Sequence, residues 1–434
     1  MSILKNILNF LLLVSFVQFA NGQKTTWSLQ DCMNLGLENN ISLKIQKLDV
    51  KRTQKARSSM LEQLLPTVNL FGSQSYNFGS TIDPSTNGRV SSNIQYDNFY
   101  MNAQMNLLDF STIAKTQKSK LEIELAKADQ EVIENEYKLQ ILESYFQALF
   151  TQELVEIQNQ QLENTRFNLD RITKEIEIGS KPKSDYYDIQ FAFGQEELQL
   201  LETKQLLDVQ ITQLFQLLNY GEINVAEIKL ENTFGESLTS ESSFANPKIK
   251  AAAISSKTAN KELSIQRAQN LPSLTTFYQL SSFYYRPLNL SGGRVDNFSD
   301  QMGNNKNQQL GLQLAVPVFN GLKNNRAIGA AKIEIEKSDL KLEQETQKVQ
   351  QKLELENKNK ENQLVLQDKL SQLVQFAQAS FKTTQAKFIS GTVDAFSFSS
   401  AKNNLLNSEY AFLKNTLQSQ FTSCKINLIQ QNHL

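Results

Sequence analysis

A strand that runs straight into a helix far too long for a globular domain limits what this chain can become. From Phe99 to Leu107, Phe99, Met101, Ala103, Met105 and Leu107 alternate with Tyr100, Asn102, Gln104 and Asn106. That is the period of a strand with one apolar and one polar face. Beyond Phe110 the pattern turns helical, with no Pro and no Gly from Ser111 to Ile178. The run is about 68 residues, roughly 100 Å of helix at 1.5 Å per residue. Globular helices average about 10–14 residues, so the segment predicts a rod attached to a sheet.

The arrangement occurs twice. Leu310, Leu312, Leu314, Val316 and Val318 alternate with Gln309, Gly311, Gln313 and Ala315, and the stretch ends at Phe319-Asn320-Gly321. A second run free of Pro and Gly then extends from Ala330 to Ser390. Leu65-Pro66 matches Leu271-Pro272, Phe110 matches Phe319, and Gly179 matches Gly391. The offsets, about 206, 209 and 212 residues, differ by only a few positions, as in an internal duplication. With only 7 Pro and 16 Gly in 434 residues, three matched anchors are hard to reach by chance.

Composition removes several functional classes. The 44 basic and 45 acidic residues leave a net charge of −1, against the basic excess of a nucleic-acid surface. The single histidine, His433, stands next to last, so His-based triads and metal sites are excluded, and there is no P-loop, GxGxxG or GxSxG. The chain does not read as an enzyme and calls for no cofactor or metal. The two cysteines, Cys32 and Cys424, lie near opposite ends of the chain. In an oxidising compartment they either pair or remain two small buried thiols. The apolar run Ile7–Ala20 follows Lys5 and leads to Ala20-Asn21-Gly22, which reads as a signal peptide over 1–22. The alternative is a retained anchor, for which the run is short.

Taken in order, 23–222 is the first structural repeat and 223–434 the second. In the first, Ser28 caps a helix with Asp31 as capping-box partner, and a helical segment from Ser42 stops at Pro66. Strands are expected at about 67–79 and 95–109, with a polar loop over 80–93 between them, then a long helical hairpin over 111–218. The second repeat opens with a linker that includes 223–245. A helix over 247–270 follows, capped by Asn246 with Pro247 at its first position. Strands at about 273–285 and 308–318 flank a loop over 286–307, and a hairpin spans 322–430. Each hairpin turns at a glycine, Gly179 and Gly391, and Ser184 is expected to cap the returning first-copy helix. Leu366, Leu370, Leu373, Val374, Ala377 and Phe381 form the narrow stripe of a coiled-coil seam. Aromatics such as Tyr76, Phe78, Tyr96, Phe99, Tyr284 and Tyr285 fall where strands meet loops, as in an interfacial girdle.

Four strands cannot close a barrel, because membrane barrels begin at about eight strands, and lipid does not tolerate open edges. If these strands cross a membrane, several copies must pool them: two would supply eight, three would supply twelve. A secreted structural coiled coil without a pore would explain the rods but not the matched strands. A transport adaptor would need a lipoyl-like β domain and a single hairpin.

At these residues the sequence resembles the outer-membrane efflux protein family, the TolC-like channels. The resemblance rests on the segments Gly36-Leu37-Glu38-Asn39-Asn40 and Ala245-Asn246-Pro247, and on the strand starts Leu65–Val68 and Leu271–Leu274. The strand ends Leu108-Asp109-Phe110 and Val316–Gly321 and the hairpin glycines complete it. It implies a mainly α fold with a small β part. Duplicated helical hairpins would form a periplasmic α-barrel, and four strands per protomer would enter a trimeric twelve-stranded outer-membrane β-barrel. The implied function is a passive exit duct of a tripartite efflux or type I secretion system in a Gram-negative outer membrane. The implied partners are outer-membrane lipid, a periplasmic adaptor and an inner-membrane pump, with no nucleic acid. Gly179, Ser180, Gly391 and Thr392 match the adaptor-contacting turns. Asp185 matches a gate carboxylate, while Ser397 and Ser400 stand where the second copy often has acids, leaving Asp394 as a substitute there or as a solvated helix-start carboxylate.

Overall fold

Short polar side chains set where the helices begin. The computed structural model of the chain describes residues 26–57, 59–82, 87–91, 93–221, 225–232, 245–288 and 296–431; the signal-peptide segment and His433 lie outside them. After β1 (Thr26–Trp27), the Ser28–Asp31 capping box opens α1 (Leu29–Asn39) as expected. Asn40 starts α2 (Ile41–Ala56), its Oδ1 accepting from the Leu43 amide at 2.9 Å. The helix expected to run unbroken to Pro66 is interrupted. Ser59 and Glu62 form a second capping box, which starts α3 (Met60–Gln63) as a separate turn.

Strands and long helices then follow. They are β2 (Thr67–Asn77), β3 (Ser80–Ile82), β4 (Arg89–Ser91), β5 (Ile94–Leu108), α4 (Phe110–Glu177) and α5 (Lys183–Leu217). Next come β6 (Lys229–Leu230), α6 (Pro247–Ala268), β7 (Ser273–Pro287), α7 (Phe298–Asn304), β8 (Asn307–Ala315), α8 (Lys323–Ile389) and α9 (Ala395–Gln431). α4 has 68 residues and α8 has 67. Two segments read as loops contain structure: β3 pairs with β4, and α7 lies between β7 and β8. β8 stops at Ala315, three residues short of the expected end, because Pro317 has no amide to donate.

Contacts divide the chain into two compact units that do not follow the repeats; each takes segments from both. The first combines the chain up to Lys47, Asp129–Ile249 and the part from Thr346 onward. Its core gathers Trp27, Met33, Leu43, Ile141, Tyr145, Leu214 and Phe215. Tyr145 donates its hydroxyl toward the carbonyls of Trp27 (3.0 Å) and Glu231 (2.8 Å), fixing the parallel β1–β6 pair against α4. Gly36 lets α1 approach α4 closely, since a Cβ there would lie 2.7 Å from Ile141 Cδ1. Asn246 caps α6 through the Lys248 amide (2.9 Å) and donates to the Ile429 carbonyl (2.7 Å), so one side chain starts a helix and holds the end of another.

Cys32 and Cys424 belong to this same core, and the structure has no disulfide between them. Burial pushes the Cys424 thiol up to about 11, where almost none is thiolate at neutral pH. Native protein is therefore expected to react slowly with maleimide and to show two thiols on denaturation. A count of zero without reductant would establish a disulfide instead.

The second unit, Leu48–Ala128 with Lys250–Glu345, holds an antiparallel sheet of order β2-β5-β7-β8. Its register sorts side chains by face. The row Val68, Ala103, Tyr278, Leu310 is apolar; the next row, Asn69, Asn102, Gln279, Gln309, is polar. On the polar face, Phe277 lies over its pair partner Gly311, where a Cβ would come within 2.6 Å of the ring. Among the described residues, β2 and β8 end the sheet with no strand on their outer sides. Among the described residues no helix is long and apolar enough to cross a membrane. Such a sheet, with one face suited to lipid and one to water, fits a membrane only as part of a closed barrel.

Candidate functional site

In the first unit the two hairpin turns are built alike and packed together. At the end of α4 the Gly179 amide donates to the Ile176 carbonyl (2.9 Å) and the Ser180 amide to Glu175 (2.8 Å), with Gly179 at φ +76°. At the end of α8 the Gly391 amide donates to Phe388 (3.2 Å) and the Thr392 amide to Lys387 (2.9 Å), with Gly391 at φ +75°. Both are Schellman stops, whose left-handed residue favours glycine. Gly179, Ser180, Gly391 and Thr392 are all exposed. Ile178 is 80% exposed and Ile389 50%, so each turn also presents a bare apolar side chain.

Behind the turns, Ile172, Ile189, Phe381, Phe388, Phe398 and Leu405 form a small apolar core drawn from four helices. Phe388 stacks on Phe398 at 4.7 Å, and the cations of Arg171 (4.9 Å) and Lys181 (5.2 Å) lie over its ring. This arrangement joins the two hairpins, because Lys181 belongs to one turn and Phe388 to the helix entering the other.

The two expected gate carboxylates have different surroundings. Asp185 is buried and pairs with Lys181 at 3.5 Å. Asp394 is exposed and caps α9, its Oδ1 accepting from the Ser397 amide at 2.8 Å. Hydrogen bonds from Ser397 hold the Asp394 carboxyl below its usual range. Ser184 does not cap α5; Pro182 takes that position without a side-chain bond.

Sequence reasoning missed a buried ion pair within this bundle. Lys402 on α9, 2% exposed, donates to the Glu196 carboxylate of α5 at 2.6 and 2.7 Å and to the Gln161 carbonyl of α4 at 2.7 Å. Its Nζ also meets Thr165 Oγ1, and Thr165 donates to Glu196 at 2.7 Å. Burial pulls the Lys402 pKa down, and Glu196 opposes that. Gln158, Gln161, Thr165 and Asn168 are all buried on α4. Their alternating three- and four-residue spacing is a heptad seam with polar instead of apolar knobs, and that spacing was the available signal. Among the described residues, no three His, Cys, Asp or Glu side chains converge as a metal site.

Four strands with one lipid-compatible face, in a sheet open at both edges among the described residues, define the class of proteins whose strands enter a membrane barrel. Residues 33–220 and 238–427 match the family model described as outer membrane efflux protein, and the chain belongs to that family. It is 23% identical over 352 residues to the alkaline protease secretion protein AprF of Pseudomonas aeruginosa, covering 77% of this chain and 68% of that protein. The outer membrane protein VceC of Vibrio cholerae superposes with a TM-score of 0.77 at 16% identity, covering 92% of this chain and 95% of that one. The CmeC outer membrane channel of Campylobacter jejuni gives 0.75 at 15%, covering 94% and 87%. The fold is that of TolC-like channels, with long helical hairpins and a small β part. The protein is an outer-membrane efflux protein by family, and its family and fold are those of channels and not of enzymes.

Proposed function

We propose that three copies form one continuous passive duct, loaded at the hairpin turns by a periplasmic adaptor and powered by an inner-membrane pump. The observation that carries this reading is the sheet in which, among the described residues, β2 and β8 are unpaired on their outer sides. Joining β8 of one copy to β2 of the next leaves no edge in lipid. Two copies would give eight strands, whose interior side chains just fill it; twelve leave room for water and solute. The helices also carry seams for neighbours. Tyr187, Phe191, Leu198 and Leu201 follow heptad spacing on α5, and all are more than half exposed.

The adaptor meets Gly179, Ser180, Gly391 and Thr392, with Ile178 and Ile389 as apolar anchors. Asp394 supplies an exposed carboxylate at the mouth. Asp185 reaches the mouth only on leaving Lys181, so the Lys181–Asp185 pair belongs to the resting turn. The test combines the mass of the detergent-extracted protein with its conductance in a planar bilayer. A trimer that conducts is expected, with conductance falling when Asp394→Cys is crosslinked across the mouth. A monomer or dimer would overturn the trimeric duct, and unchanged flow after crosslinking would remove Asp394 from the gate.

A further inference from the structure

β7 is longer than the strand beside it. It pairs with β5 along 94–108, but with β8 only as far as Ser281, opposite Asn307. From Ser282 to Pro287 its outer backbone groups face no strand among the described residues, and α7 takes over those of Phe283 and Tyr285. Gln301 accepts from the Tyr285 amide (2.9 Å) and donates to the Tyr285 carbonyl (3.0 Å), as a neighbouring strand's peptide group would. Asn305 donates to the Phe283 carbonyl (2.9 Å), and Ser282 donates to the Met302 carbonyl (2.8 Å). Gln301 is 9% exposed. Phe298 packs edge-on against Phe99 (6.1 Å) and beside Tyr284 (5.4 Å). Phe99 pairs with Ser282, on the face that carries Leu70, Met101 and Leu280, so Phe298 lies on the apolar face of the sheet.

The duplication says what meets α7 next. β2 corresponds to β7, and β5 to β8, so the internal β5–β7 junction is a template for the closing β8–β2 junction between copies. Carrying its register across with the offsets read from the sequence, about 206 and 209 residues, sets Asn307 near Asn77 of the neighbour. The closing junction is shorter than its template, since β8 has 9 residues and β5 has 15. Past Asn307 the neighbour's β2 end therefore faces α7 and not a strand. Tyr76 (51% exposed) falls opposite Gln308 at the end of β8, and Phe78 (74%) lies beyond it, both large side chains with little cover in one chain. Phe298 is 49% exposed.

We infer that α7 is an interface between copies: it plugs the β7 edge within its own chain and docks the Tyr76–Phe78 end of a second copy's β2. This rests on the trimeric reading above. The plug limits foreign strand pairing to β8 and so fixes the register in which the barrel closes.

Paired cysteines in full-length, membrane-inserted protein, in a Cys32→Ser, Cys424→Ser background, test it. Met302→Cys and Ser299→Cys are each combined with Phe78→Cys, and oxidised samples are run on a non-reducing gel. Gln309→Cys with Ser73→Cys, Ser75→Cys or Asn77→Cys reports closure by β8 and β2 independently. Crosslinked ladders from an α7 pair and from a β8–β2 pair are expected. A β8–β2 ladder with none from either α7 pair would overturn the docking role and leave the trimer standing. No ladder from any pair would overturn both. Gln301→Leu should also lower the temperature at which the unreduced trimer dissociates, whereas an unchanged temperature would refute the edge plug.

Discussion

Lys402→Met is expected to destabilise the helical unit by about 3–5 kcal/mol, the usual cost of removing one partner from a buried ion pair. Methionine has a similar length but no charge, so the Glu196 carboxylate, 18% exposed, is left with the Thr165 hydroxyl at 2.7 Å in place of its ammonium partner. The Gln161 carbonyl loses the Lys402 ammonium as a donor but still accepts from the Thr165 hydroxyl at 3.2 Å. Adding Glu196→Leu removes the stranded charge, and the double variant should recover most of the loss. Denaturant unfolding of the detergent-extracted protein measures both. A single variant as stable as the parent would show that the pair contributes nothing. A double variant as unstable as the single one would place the cost in packing and not in charge.

Phe388→Ala should cost a comparable amount, about 3–5 kcal/mol, because the ring is fully buried and its removal leaves a cavity. The loss falls at the hairpin turns. Phe398 loses its stacking partner, and Arg171 and Lys181 lose the ring beneath their cations. Phe388→Leu keeps most of the volume but not the π-face, so it should cost less in stability while leaving Lys181 held by Asp185 alone. Proteolysis near Lys181 in Phe388→Leu, compared with the parent, separates the two effects. Equal cleavage would show that the ring does not position Lys181.

Much of this was legible because the forces involved are local. Alternation over Phe99–Leu107 sets one side of a strand against the other whatever its neighbours. Absence of Pro and Gly from Ser111 to Ile178 lets a helix continue, and Gly179 and Gly391 stop it by conformation alone. Ser28 and Asn246 cap helices through amides two or three residues away. Strand ends were less secure: β8 stopped where Pro317 could not donate, and α7 stayed hidden in a loop because its Gln301 and Asn305 bond to β7, 16 and 22 residues distant.

What only the tertiary structure decided involves groups far apart in the chain. Nothing near Lys402 indicates that its ammonium is buried against Glu196, 206 residues away. Asp185 and Asp394 both stand at helix starts, yet one is buried on Lys181 and the other faces solvent. Helix packing alone makes that difference. The sequence by itself determined the repeat, the four long strands, the long helices and their stops, since these depend on backbone freedom and periodicity. Which charges are buried, and which sheet edges are left for another copy, depended on long-range packing, because desolvation and edge pairing are properties of surfaces that exist only once the chain has folded.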